Sequence, residues 1–137
     1  MRVENISAGE ALKLSNGKSA PFVSAPVLWV IHTGSANPIF TAGKRDAGEG
    51  LESLAETGNP SKLVTAVAAK PGVVTAGAAA RPVGSAADGP LTPGQKYEFE
   101  ISVEPGQSLS AACRAAAGRC RGESPGSRPR SRRRGPW

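Results

Sequence analysis

Few side chains in this sequence could do chemistry: one histidine, His32, two cysteines, Cys113 and Cys120, and eleven carboxylates. His32 ends the apolar run Val27-Leu28-Trp29-Val30-Ile31-His32. A catalytic histidine needs a nucleophile or a carboxylate held beside it, and no GxSxG element accompanies it. A hydrolase using His32 is thus the weakest reading, and a structural histidine closing a buried strand is preferred. Gly48-Glu49-Gly50 opens like a GxGxxG nucleotide loop, but Ser53 stands where the third glycine belongs and no strand leads directly into it. Asp46, Glu49, Glu52 and Glu56 fall along one helical pattern. The spacing of Glu49, Glu52 and Glu56 describes a solvated face rather than a metal site. Asp88, on a Gly/Pro loop, is the one weak candidate ligand for a hard cation. A single carboxylate is far short of the roughly six to eight oxygens that calcium takes. Cys113 and Cys120 are separated by six residues, which is not a zinc-ligand spacing. Asn5-Ile6-Ser7 matches the glycosylation acceptor pattern and is read as a chance match. The residues therefore assign no catalytic group and no cofactor.

Charge is distributed unevenly. Residues 1–110 hold nine Lys/Arg against ten Asp/Glu, which leaves −1, whereas residues 111–137 hold eight Arg against Glu123, which leaves +7. The basic balance belongs to the end of the chain and says nothing of the domain surface. No apolar run approaches the ~18–20 residues needed to span a membrane. MRVENIS lacks a basic region followed by an apolar one, so no signal peptide is read there.

The elements that must position these groups are mostly strands. Residues 2–7 read as a strand with no lead-in, which suggests a true start upstream of Met1. Asn16-Gly17 is a turn, and Pro21 and Pro26 frame an extended piece. Val27 to His32, apolar without alternation, fits a strand buried on both faces. Two short helices follow, at about 47–57 and 60–70. Asp46 is a possible N-cap and Gly58 a stop for the first; Asn59 caps the second, with Pro60 at its first position. Val73 to Ala76 is a short strand. Tyr97, Phe99, Ile101 and Val103 alternate with polar residues and predict a strand with one face in a core. Ser108-Leu109-Ser110 opens a strand that stops at once. From Ala111 the composition turns to Arg, Ala, Gly, Pro and Ser and predicts a disordered tail over 111–137. It is also what a shifted reading frame in G/C-rich DNA produces.

The segments WVIHTGSANPIFTAGKRDAGEGLESLAETGNPSKL, PGVVTAG and GPLTPGQKYEFEISVEPGQSLS together resemble the bacterial spondin-domain proteins, a family named for the N-terminal domain of the matrix adhesion protein F-spondin. The likeness covers residues 2–110 and is carried by the combination of pieces. It implies a mainly β chain, an incomplete C2-like antiparallel β-sandwich with the two helices in one connection. It implies a non-enzymatic adhesion or interaction module, secreted or at the cell surface, with a protein or a surface glycan as partner. Intact members often bind calcium (Ca2+) through loops at one end. Here the family's Asn/Ser-Asp-aromatic metal loop has no counterpart after Ser110, so the resemblance supplies no ligand.

Loss of C-terminal strands leaves Tyr97, Phe99, Ile101 and Val103, or their partners, facing water. At about 1.5–3 kcal/mol per large buried side chain, a few such losses match a domain's net stability of about 5–15 kcal/mol. The chain is therefore expected to be a defective, marginal domain over 1–110 with an aggregation-prone sheet edge. The alternative is a nucleic-acid-binding protein acting through the basic tail, which predicts salt-dependent binding lost on deletion of 111–137.

Overall fold

A computed structural model describes residues 1–117. The expected disorder of the tail from Gly118 onward, and Cys120 with it, lies outside the described residues. The chain is mainly β, with nine short strands and two helices among the described residues. Both helices, α1 (Leu51–Thr57) and α2 (Ser61–Ala68), sit in the connection between β5 (Val27–Thr33) and β6 (Val73–Ala79), as the sequence predicts.

The apolar run forms the middle strand of an antiparallel three-stranded sheet, ordered β6-β5-β8, in which β8 is Gln107–Ala112. Its two faces are buried differently. Leu28 and Val30 join Ile39, Leu54, Leu63 and Val67 in a core beneath the helices. Val27 joins Ala79, Leu91 and Tyr97 on the opposite face, backed by Val3 and Phe99. That second layer is a two-stranded sheet of β1 (Arg2–Glu4) and β7 (Lys96–Glu98). Continuous apolarity without alternation is what a strand covered on both faces requires.

The helix ends follow local chemistry. Gly58 closes α1 in the left-handed region, at φ 76°, and its N–H reaches the Leu54 carbonyl. Asn59 Oδ1 accepts the Ser61 N–H at 2.9 Å just ahead of α2, but the N-cap position of α2 is Pro60 and not Asn59, and that of α1 is Gly50 and not Asp46. At the other end of the molecule the Asn16-Gly17 turn joins β2 (Leu12–Lys13) to β3 (Ser19–Ala20).

Three expectations are corrected. The alternating stretch Tyr97–Val103 pairs as a strand only over Lys96–Glu98, because β1 offers only three partners. Tyr97 does not lose its cover: it is fully buried between the layers, while Val103 is 45% exposed. The strand begun at Ser108 does not stop at Ser110. It runs to Ala112 against β5, and after Cys113-Arg114 it resumes as β9 (Ala115–Ala117) against β4 (Phe22–Ser24). Ser24 pairs with Ala115 but Leu28 with Ala112, so the β4–β5 side carries one extra residue. The bulge falls at Ala25-Pro26, where proline has no donor to give. Pairing past Ser110 needs only backbone N–H and C=O groups, which a run of alanines supplies as well as valines do.

Candidate functional site

Each residue with chemical potential has a definite place. His32 is 5% exposed, and its Nε2 lies 2.9 Å from Ser110 Oγ. The Nδ1 atom has no hydrogen-bond partner. A nucleophile and a base are thus within reach of one another, but nothing orients the ring from its far side as a triad requires. The pair bridges β5 and β8. Sequence reasoning missed Ser110, since its proximity depends on strand register.

Asn5, the glycosylation match, is buried. Its Nδ2 donates to the carbonyls of Phe22 and Leu91, at 2.9 and 3.0 Å, and Oδ1 accepts from Ser7. Both amide hydrogens are committed, and the side chain ties the amino-terminal strand to β4 and to the loop before β7. Glycan attachment in this folded arrangement is sterically excluded.

The abortive glycine loop also has a packing role. Gly50, buried at φ 112°, lies against α2; a Cβ there would meet the Leu63 nitrogen at 2.6 Å. Asp46 points its carboxylate into the same turn and accepts the N–H groups of Glu49, Gly50 and Glu52 at 3.0, 3.3 and 3.1 Å. The Glu52 N–H, and then those of Glu49, Gly50 and Leu51, hold its pKa below the ordinary value despite partial desolvation. Glu49 binds Lys70 Nζ at 2.6 Å, and Lys70 also donates to the Pro38 carbonyl at 3.0 Å. Glu52 and Glu56 are solvent-facing on α1, as predicted.

Asp88, the weak cation candidate, forms an exposed ion pair with Arg81 at 3.0 Å. No group of three His, Cys, Asp or Glu side chains suited to a metal ion occurs among the described residues. Cys113 is exposed and forms no disulfide among the described residues. No described helix is long and apolar enough to cross a membrane.

One surface combines features that none of these residues has alone. Between the end of β5 and α1 lies a hollow of about 190 Å³, floored by Ile39 and Leu51 and rimmed by Phe40, Lys44, Arg45 and Lys70 together with the carboxylates of Asp46 and Glu49, which the Asp46 turn and Lys70 already engage. Phe40 is 51% exposed. Lys44 and Arg45 are exposed and make no ion pair among the described residues. The loop is held from both ends, by the Asp46 amide cluster and by the Lys70 bridge to Glu49 and Pro38. Nothing in the order Ile39-Phe40 tells which of the two is buried: Ile39 is 3% exposed and Phe40 51%. Comparison with family models, with curated proteins and with solved structures finds no match for the chain.

Proposed function

We propose that this chain is a non-enzymatic interaction module, of the spondin type by the resemblance of residues 2–110, acting outside the cell or at its surface. The contact surface is the loop of Phe40, Lys44 and Arg45, and the partner presents an acidic group on a protein or a surface glycan. One observation carries the reading: a half-exposed aromatic ring stands beside two cations that are unpaired among the described residues, at the rim of a hollow floored by Ile39 and Leu51, on a loop anchored at both ends. Exposed aromatic and arginine side chains on a fixed base are the composition of recognition surfaces. The resemblance adds support because its segments supply most of β5, all of α1, the start of α2, and β7. In this reading His32 and Ser110 are structural, and calcium has no part in the contact.

The test is binding of the intact chain to immobilised cell-surface material and to acidic glycans. Phe40→Ala and the pair Lys44→Glu with Arg45→Glu should each abolish binding. Replacement of Arg128, Arg130, Arg132, Arg133 and Arg134 by glutamine should leave it in place. Salt-sensitive binding of DNA or RNA that survives Phe40→Ala and disappears with the arginine replacements would replace this reading with the nucleic-acid one.

A further inference from the structure

The Phe40 hollow does not end at α1. A second, wider hollow of about 550 Å³ follows it, formed by Arg45, Asp46, Leu51, Glu52 and Ala55. Arg45, Asp46 and Leu51 line both, so the two are consecutive parts of one groove that runs along α1. We propose that this groove takes an extended segment of a partner protein, with an acidic side chain at its Phe40 end and a basic one at its α1 end. The inference rests on the Phe40 surface being the contact site and names the class of partner for it.

Charge along the groove changes sign. Lys44 and Arg45 are exposed at the Phe40 end, and Glu52 is exposed at the other. None of the three has an ion-pair partner among the described residues. Glu56, also exposed and unpaired among them, stands one turn further along α1. The other carboxylates of the groove are engaged within the chain. Asp46 accepts the N–H groups of Glu49, Gly50 and Glu52, and Glu49 holds Lys70. Arg45 and Glu52 line the same hollow without forming an ion pair. The reversal therefore falls inside the groove, where a single ligand meets both signs.

This pattern chooses between partners. A sulfated glycan or a nucleic acid carries one sign of charge along its whole length. Such a polyanion would gain Lys44 and Arg45 and then meet Glu52, where like charges repel and select against it. A polypeptide can reverse its charge within a few residues. The floor fits the same occupant. Ile39, Leu51 and Ala55 are aliphatic, and Phe40 is the one aromatic side chain lining either hollow. Apolar side chains set between the two charges would fill the hollows and leave water.

The test is selection of a displayed library of random short peptides on the immobilised intact chain, sequenced beside the same selection on Phe40→Ala. Dextran sulfate serves as the uniformly charged probe. Enriched sequences are expected to carry an acid and a base on either side of apolar residues. A peptide from that set should bind Glu52→Lys about two- to fivefold more weakly, the range of one exposed ion pair. Changing its basic residue to glutamate should restore the affinity, a rescue that misfolding cannot mimic. Enrichment no greater than on Phe40→Ala would overturn the inference, as would enriched sequences that are acidic throughout. Dextran sulfate bound in preference to the peptides, and lost in Phe40→Ala, would overturn it while leaving the Phe40 surface as the contact site. Self-association lost in Phe40→Ala would give the groove to a second copy instead. Peptides and cell-surface material both held undiminished by Phe40→Ala would remove the surface itself.

Discussion

The phenol of Tyr97 donates a hydrogen bond to the carbonyl oxygen of Gly89 at 2.6 Å, while its ring is fully enclosed between the two layers. Burial, then the nearby charges of Asp88 and Cys113, push the phenol up to about 12 from its ordinary 10.0. The folded chain thus keeps a proton that the unfolded chain gives up. Stability should be unaffected by this group below pH 10.0 and should fall as pH rises from there toward 12. Tyr97→Phe removes the titration and should flatten that alkaline loss. At neutral pH it should cost about 1–2 kcal/mol, because the Gly89 carbonyl loses its donor. Denaturant melts at several alkaline pH values check both statements.

Trp29 and Phe99 stack at 6.1 Å, with their planes 17° apart, and the indole lies directly over Gly77 of β6. A Cβ at position 77 would come within 2.5 Å of the ring, and the ring cannot retreat without leaving Phe99. Gly77→Ala should therefore cost about 1–3 kcal/mol by overpacking. The same change in a Trp29→Leu background should cost much less. Chemical denaturation of the four proteins of this cycle measures the coupling.

Much of this was legible in the sequence. β5 followed from six apolar residues with no alternation, and the helix pair from Leu51, Leu54, Leu63 and Val67 with Gly58 and Asn59 between them. What failed was long-range pairing. Tyr97, Phe99, Ile101 and Val103 alternate perfectly, yet strand length is set by the partner, and β1 supplies only Arg2–Glu4. Ala111–Ala117 has no β signal in its side chains, yet its backbone completes the ladder on β4 and β5. The candidate surface was hidden for a similar reason: Phe40 meets Lys44, Arg45 and Lys70 only once the loop closes over Ile39 and Leu51.

His32 and Ser110 offer a test of structural against catalytic roles. Ser110→Ala leaves the buried imidazole with no partner at either nitrogen and should cost about 1–3 kcal/mol. His32→Leu alone strands the Ser110 hydroxyl. The double variant removes both needs, so its stability should lie closer to the parent than the sum of the single losses. Strict additivity of the two in thermal melts would argue that they do not form a unit. Esterase activity destroyed by either change would restore the hydrolase reading.

Asp46 organises the turn that carries the Phe40 loop. Its carboxylate is stabilised as the anion by backbone N–H groups, so its folded pKa lies below the ordinary 3.8. The stabilisation is present above that value and is lost as pH falls through the folded pKa. Asp46→Ala should make the acid limb of the stability curve shallower while lowering the plateau at neutral pH. If the Phe40 surface is the contact site, the variant should also bind more weakly at neutral pH with its fold intact. Circular dichroism against pH, paired with the binding assay, separates the two effects.

The most consequential prediction concerns where the fold ends. A chain cut after Ser110 keeps Gln107–Ser110 on β5 but removes the partners of Phe22, Val23, Ser24, Leu28 and Trp29. Those residues then present unpaired backbone groups along β4 and the first half of β5, the strand that both cores share. Ala25 also loses the Arg114 carbonyl that accepts its N–H at 2.9 Å. Several lost backbone hydrogen bonds, at about 0.5–1.5 kcal/mol each, are comparable with the net stability of a domain this size, about 5–15 kcal/mol. The shortened chain should lose its cooperative thermal transition relative to the full chain. Ala112→Pro in the full chain should move in the same direction: the Thr33 N–H faces Gly72 on the β6 side, alternation along β5 then turns Leu28 toward its partner Ala112, and proline there would remove a ladder bond. Equal melting midpoints for the full and shortened chains would mean that Ala111–Ala117 contributes no pairing energy, and the domain boundary would return to Ser110.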